Sequence, residues 1–215
     1  MYSVKEIFYT LQGEGGRSGR PAVFLRFSGC NLWSGLEKDR STAICNFCDT
    51  DFVGTDGHRG GKFPKPETLA SAVSDCWPKV DDVRAIPYVV CTGGEPLLQL
   101  DVPLIKALKE KGFEVAVETN GTIKAPSGID WITVSPKKAR ETLIQKSGDE
   151  LKLIYPQNTP KMQPECFEDL DFNHFYLQAM DSASKEKNIE ATLNYCFQHP
   201  RWNLSIQSHK ILNIA

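Results

Sequence analysis

Three cysteines, Cys30, Cys45 and Cys48, stand in the pattern C-x14-C-x2-C, with no fourth cysteine nearby. Three thiolates suit an iron–sulfur cubane in which one iron keeps an open position, as a catalytic metal site differs from a closed four-ligand structural one. An open iron can bind a small ligand. The same spacing also fits a zinc site completed by His58 or a distant group. The chain holds seven cysteines, an odd number, and its start, Met1-Tyr2-Ser3-Val4-Lys5-Glu6, is no secretion signal; both argue for reduced thiols rather than a disulfide framework. Cys76 on an expected helix, Cys91 at the end of an expected strand, and the solitary Cys166 and Cys196 read as core packing.

Other stretches place polar groups beside glycines. Thr92-Gly93-Gly94-Glu95-Pro96 follows an apolar run, and its glycines would let the backbone approach a zwitterionic ligand while Glu95 orients the loop or the ligand. Taken alone, Gly-Gly is an ordinary turn. Near the start lies Thr10-Leu11-Gln12-Gly13-Glu14-Gly15, and Arg26 interrupts the apolar run Phe24–Phe27 just before Cys30. An arginine within an apolar strand needs a partner, either a structural carboxylate or a ligand's. Thr50, two residues after Cys48, reads from sequence alone as a cap.

The elements that must hold these groups alternate. Strand-like runs fall at Ala22–Phe27, Ile86–Cys91, Glu114–Glu118, Trp131–Val134, Leu151–Tyr155, Phe175–Met180 and Leu204–Ile206. Helical patterns fall at Pro66–Trp77, Val102–Lys111, with Asp101 as N-cap and Gly112 as stop, and Ala183–Gln198. The alternation predicts a parallel α/β sheet whose ligands collect at the carboxyl ends of the strands. The proline-rich segment Pro156–Asp171 lacks a helical period, and a complete eight-fold barrel is too long for the chain, so a reduced, incomplete (β/α) barrel with irregular C-terminal connections is expected. Val53–Pro66 is expected to be an exposed loop, and 1–215 a single domain with an insert at 31–44.

Of 215 residues, 40% are hydrophobic and 24% charged, enough for a real core. The formal charge of −2, with scattered Lys and Arg, offers no footprint for nucleic acid. No stretch approaches the roughly 18 apolar residues of a membrane span. Small molecules are the expected partners and the cytoplasm the expected location.

The cysteine loop resembles that of the radical S-adenosylmethionine superfamily, whose usual spacing is C-x3-C-x2-C, with an aromatic residue before the third cysteine as Phe47 is here. The expanded first gap, together with "TLQGEG" and the whole run to the C-terminus, resembles the 7-carboxy-7-deazaguanine synthase family of proteobacterial type. That resemblance implies a 7-deazapurine (queuosine-pathway) lyase. It would convert 6-carboxy-5,6,7,8-tetrahydropterin to 7-carboxy-7-deazaguanine with loss of ammonia. The implied cofactors are a [4Fe-4S] cluster on Cys30, Cys45 and Cys48, S-adenosyl-L-methionine, and Mg2+ held by Thr50, an ion that takes few protein oxygens. No catalytic side chain beyond cluster and cofactor is implied.

The resemblance further implies that S-adenosylmethionine is contacted by Phe47, Asp49, Gly94, Glu95, Ser135, Pro136, Lys137, Gln178, Ala179, Met180 and Asp181. Substrate would meet Leu11, Gln12, Gly13, Glu14, Arg26, Thr92, Glu118, His209 and the α-carboxylate of Ala215. In this scheme Gln12 and Glu14 read the pterin edge and Arg26 clamps its carboxylate. An external electron donor such as flavodoxin and a homodimer are implied as well. Two alternatives stay open: an activase that installs a glycyl radical on another protein, and a non-catalytic metal-stabilised binding domain. The insert Asn31–Ile44 carries no assigned role.

Overall fold

The computed structural model describes residues 1–79 and 84–214, so Ala215 lies outside the described residues. The chain divides into two compact units. The first comprises residues 1–10, 21–119 and 124–131, and the second residues 11–20, 120–123 and 132–215.

The first unit is built on β1 (Tyr2–Leu11), β2 (Pro21–Phe27), β3 (Gly61–Phe63), β4 (Tyr88–Gly93) and β5 (Glu114–Thr119). Their order is β3-β1-β2-β4-β5. β2 pairs parallel with β4, and β4 with β5, while β3 runs antiparallel to β1. Valines dominate the parallel strands because each is covered on both faces: Val89, Val90, Val115 and Val117 are fully buried. α1 (Pro66–Ser74) and α2 (Val102–Glu110) supply the crossovers. Each begins with a proline in its first turn, and Asp101 caps α2 by accepting from the Leu104 amide at 3.0 Å. Leu104, Ile105 and Leu108 form the buried stripe of α2.

The second unit orders β6 (Trp131–Val134), β7 (Ser147–Tyr155), β8 (Asp171–Ala179) and β9 (Trp202–Ser205) consecutively, all parallel. α3 (Lys185–Gln198) crosses from β8 to β9, and the short α4 (Ser208–Leu212) follows β9. Leu151, Leu153, Phe167, Leu177 and Trp202 fill its core. Between β7 and β8 the proline-rich segment forms two single-turn 3-10 helices, Pro160–Met162 and Pro164–Cys166, which agrees with the absence of a helical period there.

Two sequence expectations need correction, and one strand was not expected at all. The loop expected over 53–66 contains β3, too short and too glycine-rich for an alternating pattern to show. α1 stops at Ser74, so Cys76 lies beyond the helix rather than on it. β1 had no counterpart among the expected strands, because its Lys5 and Glu6 break the alternation; Tyr2, Val4 and Ile7 are its buried residues. Among the described residues, no helix is long and apolar enough to cross a membrane.

Candidate active site

In the first unit, β2 delivers Arg26 and then Cys30. Arg26 Nε donates to Glu6 on β1 at 2.7 Å, and its guanidinium lies 5.8 Å from the Phe8 ring centroid. Glu6 is therefore the partner that an arginine in an apolar strand requires. Cys30 opens the loop; its thiol is pushed up by burial, against which the amides of Leu32 and Trp33 act, the former donating to Cys30 Sγ at 3.4 Å. Cys45 and Cys48 sit on a tight turn closed by Cys48 N–H to the Cys45 carbonyl at 3.3 Å. None of the three cysteines is in a disulfide. Among the described residues, no three His, Cys, Asp or Glu side chains converge closely enough to hold one ion, so the loop presents the three thiols without preforming a triad.

β4 ends at the Gly-Gly-Glu-Pro motif, and packing rather than turn chemistry explains its glycines. A Cβ on Gly94 would lie 2.2 Å from the Gly29 carbonyl oxygen and 2.7 Å from Cys30 Cβ, while one on Gly93, at φ 137°, would lie 2.2 Å from the Phe27 carbonyl. The Glu95 amide donates to Gly29 at 2.9 Å. The glycine-rich motif and the first cysteine, far apart in sequence, are thus in direct contact. Glu95 is fully buried and accepts from the Leu97 amide at 3.0 Å and the Thr119 hydroxyl at 2.7 Å. Its carboxylate ties the turn after β4 to the end of β5. A Glu95→Gln substitution keeps one acceptor oxygen but replaces charge-assisted bonds with neutral ones and adds a buried amide, so stability should fall by about 2 kcal/mol in urea titrations. Thr92 and Thr119 are buried, Glu118 and Phe47 half-buried, and Asp49 exposed. Thr50 is half-buried and two residues beyond Cys48.

In the second unit, residues 11–16 wrap a buried polar network. Glu14 forms an ion pair with Lys152, a lysine only 4% exposed in the middle of β7. Glu14 Oε1 also accepts from Gln178 at 3.0 Å and Gln207 at 2.8 Å. Gln178 accepts in turn from Ser205 Oγ at 3.0 Å, which itself accepts from the Gly15 amide at 3.0 Å. Burial alone would raise the Glu14 carboxyl, but the Lys152 ammonium outweighs it, aided by Gln207 and His209, and holds it well below the usual carboxylate range. Gln12 is buried and its side-chain oxygen accepts from the Glu14 amide at 3.1 Å. Leu11 is half-buried. His209 packs on Gly13, where a Cβ would come within 2.2 Å of its Nδ1.

Ser135 accepts from Lys137 Nζ at 2.6 Å, beside the buried Pro136. Ala179 ends β8 and Met180 follows it, both half-buried. The Asp181 carboxylate is taken by Lys210 at 2.5 Å and Lys185 at 3.7 Å, and Lys210 holds its carboxyl below the usual range. Sequence reasoning missed Glu6, Lys152, Ser205 and Gln207. For Lys152 a signal exists: a lone charge inside the apolar run Leu151–Tyr155 demands a buried partner, the argument that singled out Arg26.

No family model matches the chain. Curated relatives do. A 7-carboxy-7-deazaguanine synthase of Caulobacter vibrioides is 59% identical over 213 residues, with 99% of each chain covered, and one of Bordetella pertussis is 54% identical over the same span and coverage. The chain belongs to the 7-carboxy-7-deazaguanine synthase family. More distant members align as completely, one of Bacteroides thetaiotaomicron at 38% identity over all of this chain. Among solved structures, that of QueE from Escherichia coli matches at a TM-score of 0.69 and 24% identity, covering 97% of this chain and 94% of that one. This likeness carries the fold: α/β, of the reduced, incomplete barrel class that the strand and helix alternation predicts.

Proposed function

We propose that this chain catalyses the reaction for which its family is named, the radical ring contraction of 6-carboxy-5,6,7,8-tetrahydropterin to 7-carboxy-7-deazaguanine with release of ammonia. The observation that supports it most directly is the packing of Gly94 against Gly29 and Cys30, which holds the glycine-rich motif against the first cysteine of the loop. Cys30, Cys45 and Cys48 would hold a [4Fe-4S] cluster, and three soft thiolates fit such a group. Such a cluster, bound there with S-adenosylmethionine, would supply the radical chemistry of the reaction.

The side chains bind and orient. Gly94 and Glu95, with Phe47, Asp49, Ser135, Pro136, Lys137, Gln178, Ala179, Met180 and Asp181, are assigned to S-adenosylmethionine. Leu11, Gln12, Gly13, Glu14, Thr92, Glu118 and His209 are assigned to the pterin, and so is Ala215. Glu14 stays ionised because Lys152 stabilises its charge, so it acts as an acceptor for the N–H edge of the pterin ring. Glu6 engages Nε of Arg26, which leaves the two Nη groups of the fork to meet a substrate carboxylate in bidentate fashion. Thr50 would supply a hydroxyl ligand to Mg2+. A reductant such as flavodoxin, a homodimeric assembly and a cytoplasmic location complete the proposal. Relatives that are synthases by name along the whole chain favour this reading over the activase and the binding domain.

The test is anaerobic reconstitution with iron and sulfide, followed by dithionite, S-adenosylmethionine, Mg2+ and 6-carboxytetrahydropterin, with products followed by mass spectrometry. Formation of 7-carboxy-7-deazaguanine supports the proposal. 5'-Deoxyadenosine without it overturns the substrate assignment but not the radical chemistry.

A further inference from the structure

The insert between the first two cysteines folds around an arginine. Residues Glu37–Thr42 form a 3-10 helix, and from it Arg40 reaches the cysteine turn, where its Nη1 donates to the Asn46 carbonyl at 2.9 Å and the Cys48 carbonyl at 3.0 Å. The opposite edge of the guanidinium is gripped by Glu37, with Nε at 2.8 Å and Nη2 at 2.5 Å from its carboxylate oxygens. Its flat face lies 4.2 Å from the centroid of Trp33. Trp33 is buried and meets the buried Phe52 edge-on at 5.6 Å. A continuous series of contacts therefore runs from the core ring of Phe52, through Trp33 and Arg40, to the two carbonyls around Cys48.

We propose that Arg40 is a positioning residue for the metal-binding turn, its Nη1 holding the Asn46 and Cys48 carbonyls so that Cys45 and Cys48 are presented together to an iron–sulfur cluster. The inference rests on reading those cysteines as cluster ligands. The geometry favours this side chain as the brace. The backbone bond from Cys48 N–H to the Cys45 carbonyl, at 3.3 Å, is long for the four-residue turn it closes, and the Arg40 bonds at 2.9 and 3.0 Å are shorter. A lysine at this position carries the charge but cannot bridge two carbonyls, a carboxylate and an aromatic face at once. The insert thereby acquires a role: it carries the brace for the two cysteines that follow it.

The experiment compares reconstituted wild type with Arg40→Ala, Arg40→Lys and Glu37→Gln. It reads iron per chain, the rate of iron loss to a chelator, and the electron paramagnetic resonance spectrum of the reduced cluster with and without S-adenosylmethionine. Folding is checked by circular dichroism. A folded Arg40→Ala should lose iron about tenfold faster, the effect of one lost charge-assisted hydrogen bond, with an altered spectrum. Arg40→Lys should recover part of the difference and Glu37→Gln should show a smaller one. Wild-type release and spectrum in folded Arg40→Ala would overturn the proposal; if that variant does not fold, wild-type behaviour of both Arg40→Lys and Glu37→Gln overturns it instead. A wild-type chain that takes up no cluster overturns the reading of the cysteines themselves, a separate outcome.

Discussion

A Lys152→Met variant is expected to lose about 3 kcal/mol of stability at neutral pH, measured by urea denaturation, because it strands the Glu14 carboxylate without its counter-ion. The value sits at the low end for a broken buried pair, since the Glu14 side chain retains 16% of its exposure and two amides, Gln178 and Gln207, still donate to it. Methionine matches the lysine stem in length, so little of the loss comes from packing. The control is the double variant Glu14→Gln with Lys152→Met, which contains no buried charge at this position. It should recover most of the loss; a double variant as unstable as the single one would mean that Lys152 acts through other contacts.

The pH dependence carries an independent sign. In the wild type, Glu14 is held below the usual carboxylate range, so its contribution is complete above the unfolded carboxylate pKa of about 4.3 and disappears as pH falls toward the folded value. In Lys152→Met only burial and weaker donors remain, burial raises the carboxyl, and the folded state then prefers the protonated form. Stability of the variant should consequently rise as pH falls from 7 toward 5, where the wild type is flat. The gap between the two should close with acidification. Parallel curves would exclude Glu14 as the group concerned. Activity should follow the same logic, with KM for the pterin rising at pH 7, since a partly protonated Glu14 no longer accepts reliably from the ring edge.

How much of this was legible in the sequence depends on the kind of contact. Apolar runs located six of the parallel strands, β2, β4, β5, β6, β7 and β8, as well as β9 within two residues, because strands buried on both faces are continuous runs of Val, Ile, Leu and Phe. Asp101 was legible as an N-cap because the bond is local. β1 was not, since its charged pair Lys5 and Glu6 answers to distant partners: Lys5 meets Asp51 and Asp56, both at 2.9 Å, and Glu6 meets Arg26. The same holds at the site. Cys30, Cys45, Cys48, Gly94, Glu95 and Glu14 were found as motifs, but Lys152 and Gln207 belong to Glu14 only through sequence separations of 138 and 193 residues. A network of that reach leaves one sign in the sequence, a charge in an apolar strand, and its partner is supplied by the fold alone.

A Gly94→Ala variant should lose about a hundredfold in kcat/KM, the cost of misplacing reacting groups by roughly an ångström. A single methyl achieves this because of what it meets. At 2.2 Å from the Gly29 carbonyl it overlaps backbone, which cannot swing aside as a long side chain would, and at 2.7 Å it also presses on Cys30 Cβ. The strain must be relieved by moving either the end of β4 or the segment that carries the first cysteine. β2 and β4 are held parallel from Val23–Val89 to Phe27–Gly93, so the displacement falls on what lies beyond that register, the Gly29–Cys30 step and Glu95. Glu95 N–H to Gly29, at 2.9 Å, is the bond that should lengthen. Gly19, where a Cβ would meet nothing within 4 Å, supplies the comparison, although its φ of 86° makes alanine costly there for backbone reasons alone. Gly19→Ala should therefore lose stability while keeping kcat/KM near wild type. Gly94→Ala should lose turnover and, because Cys30 moves with it, iron content as well. A Gly94→Ala enzyme with full iron and unchanged kcat/KM would show that the contact between the glycine motif and the first cysteine is packing without consequence for the chemistry.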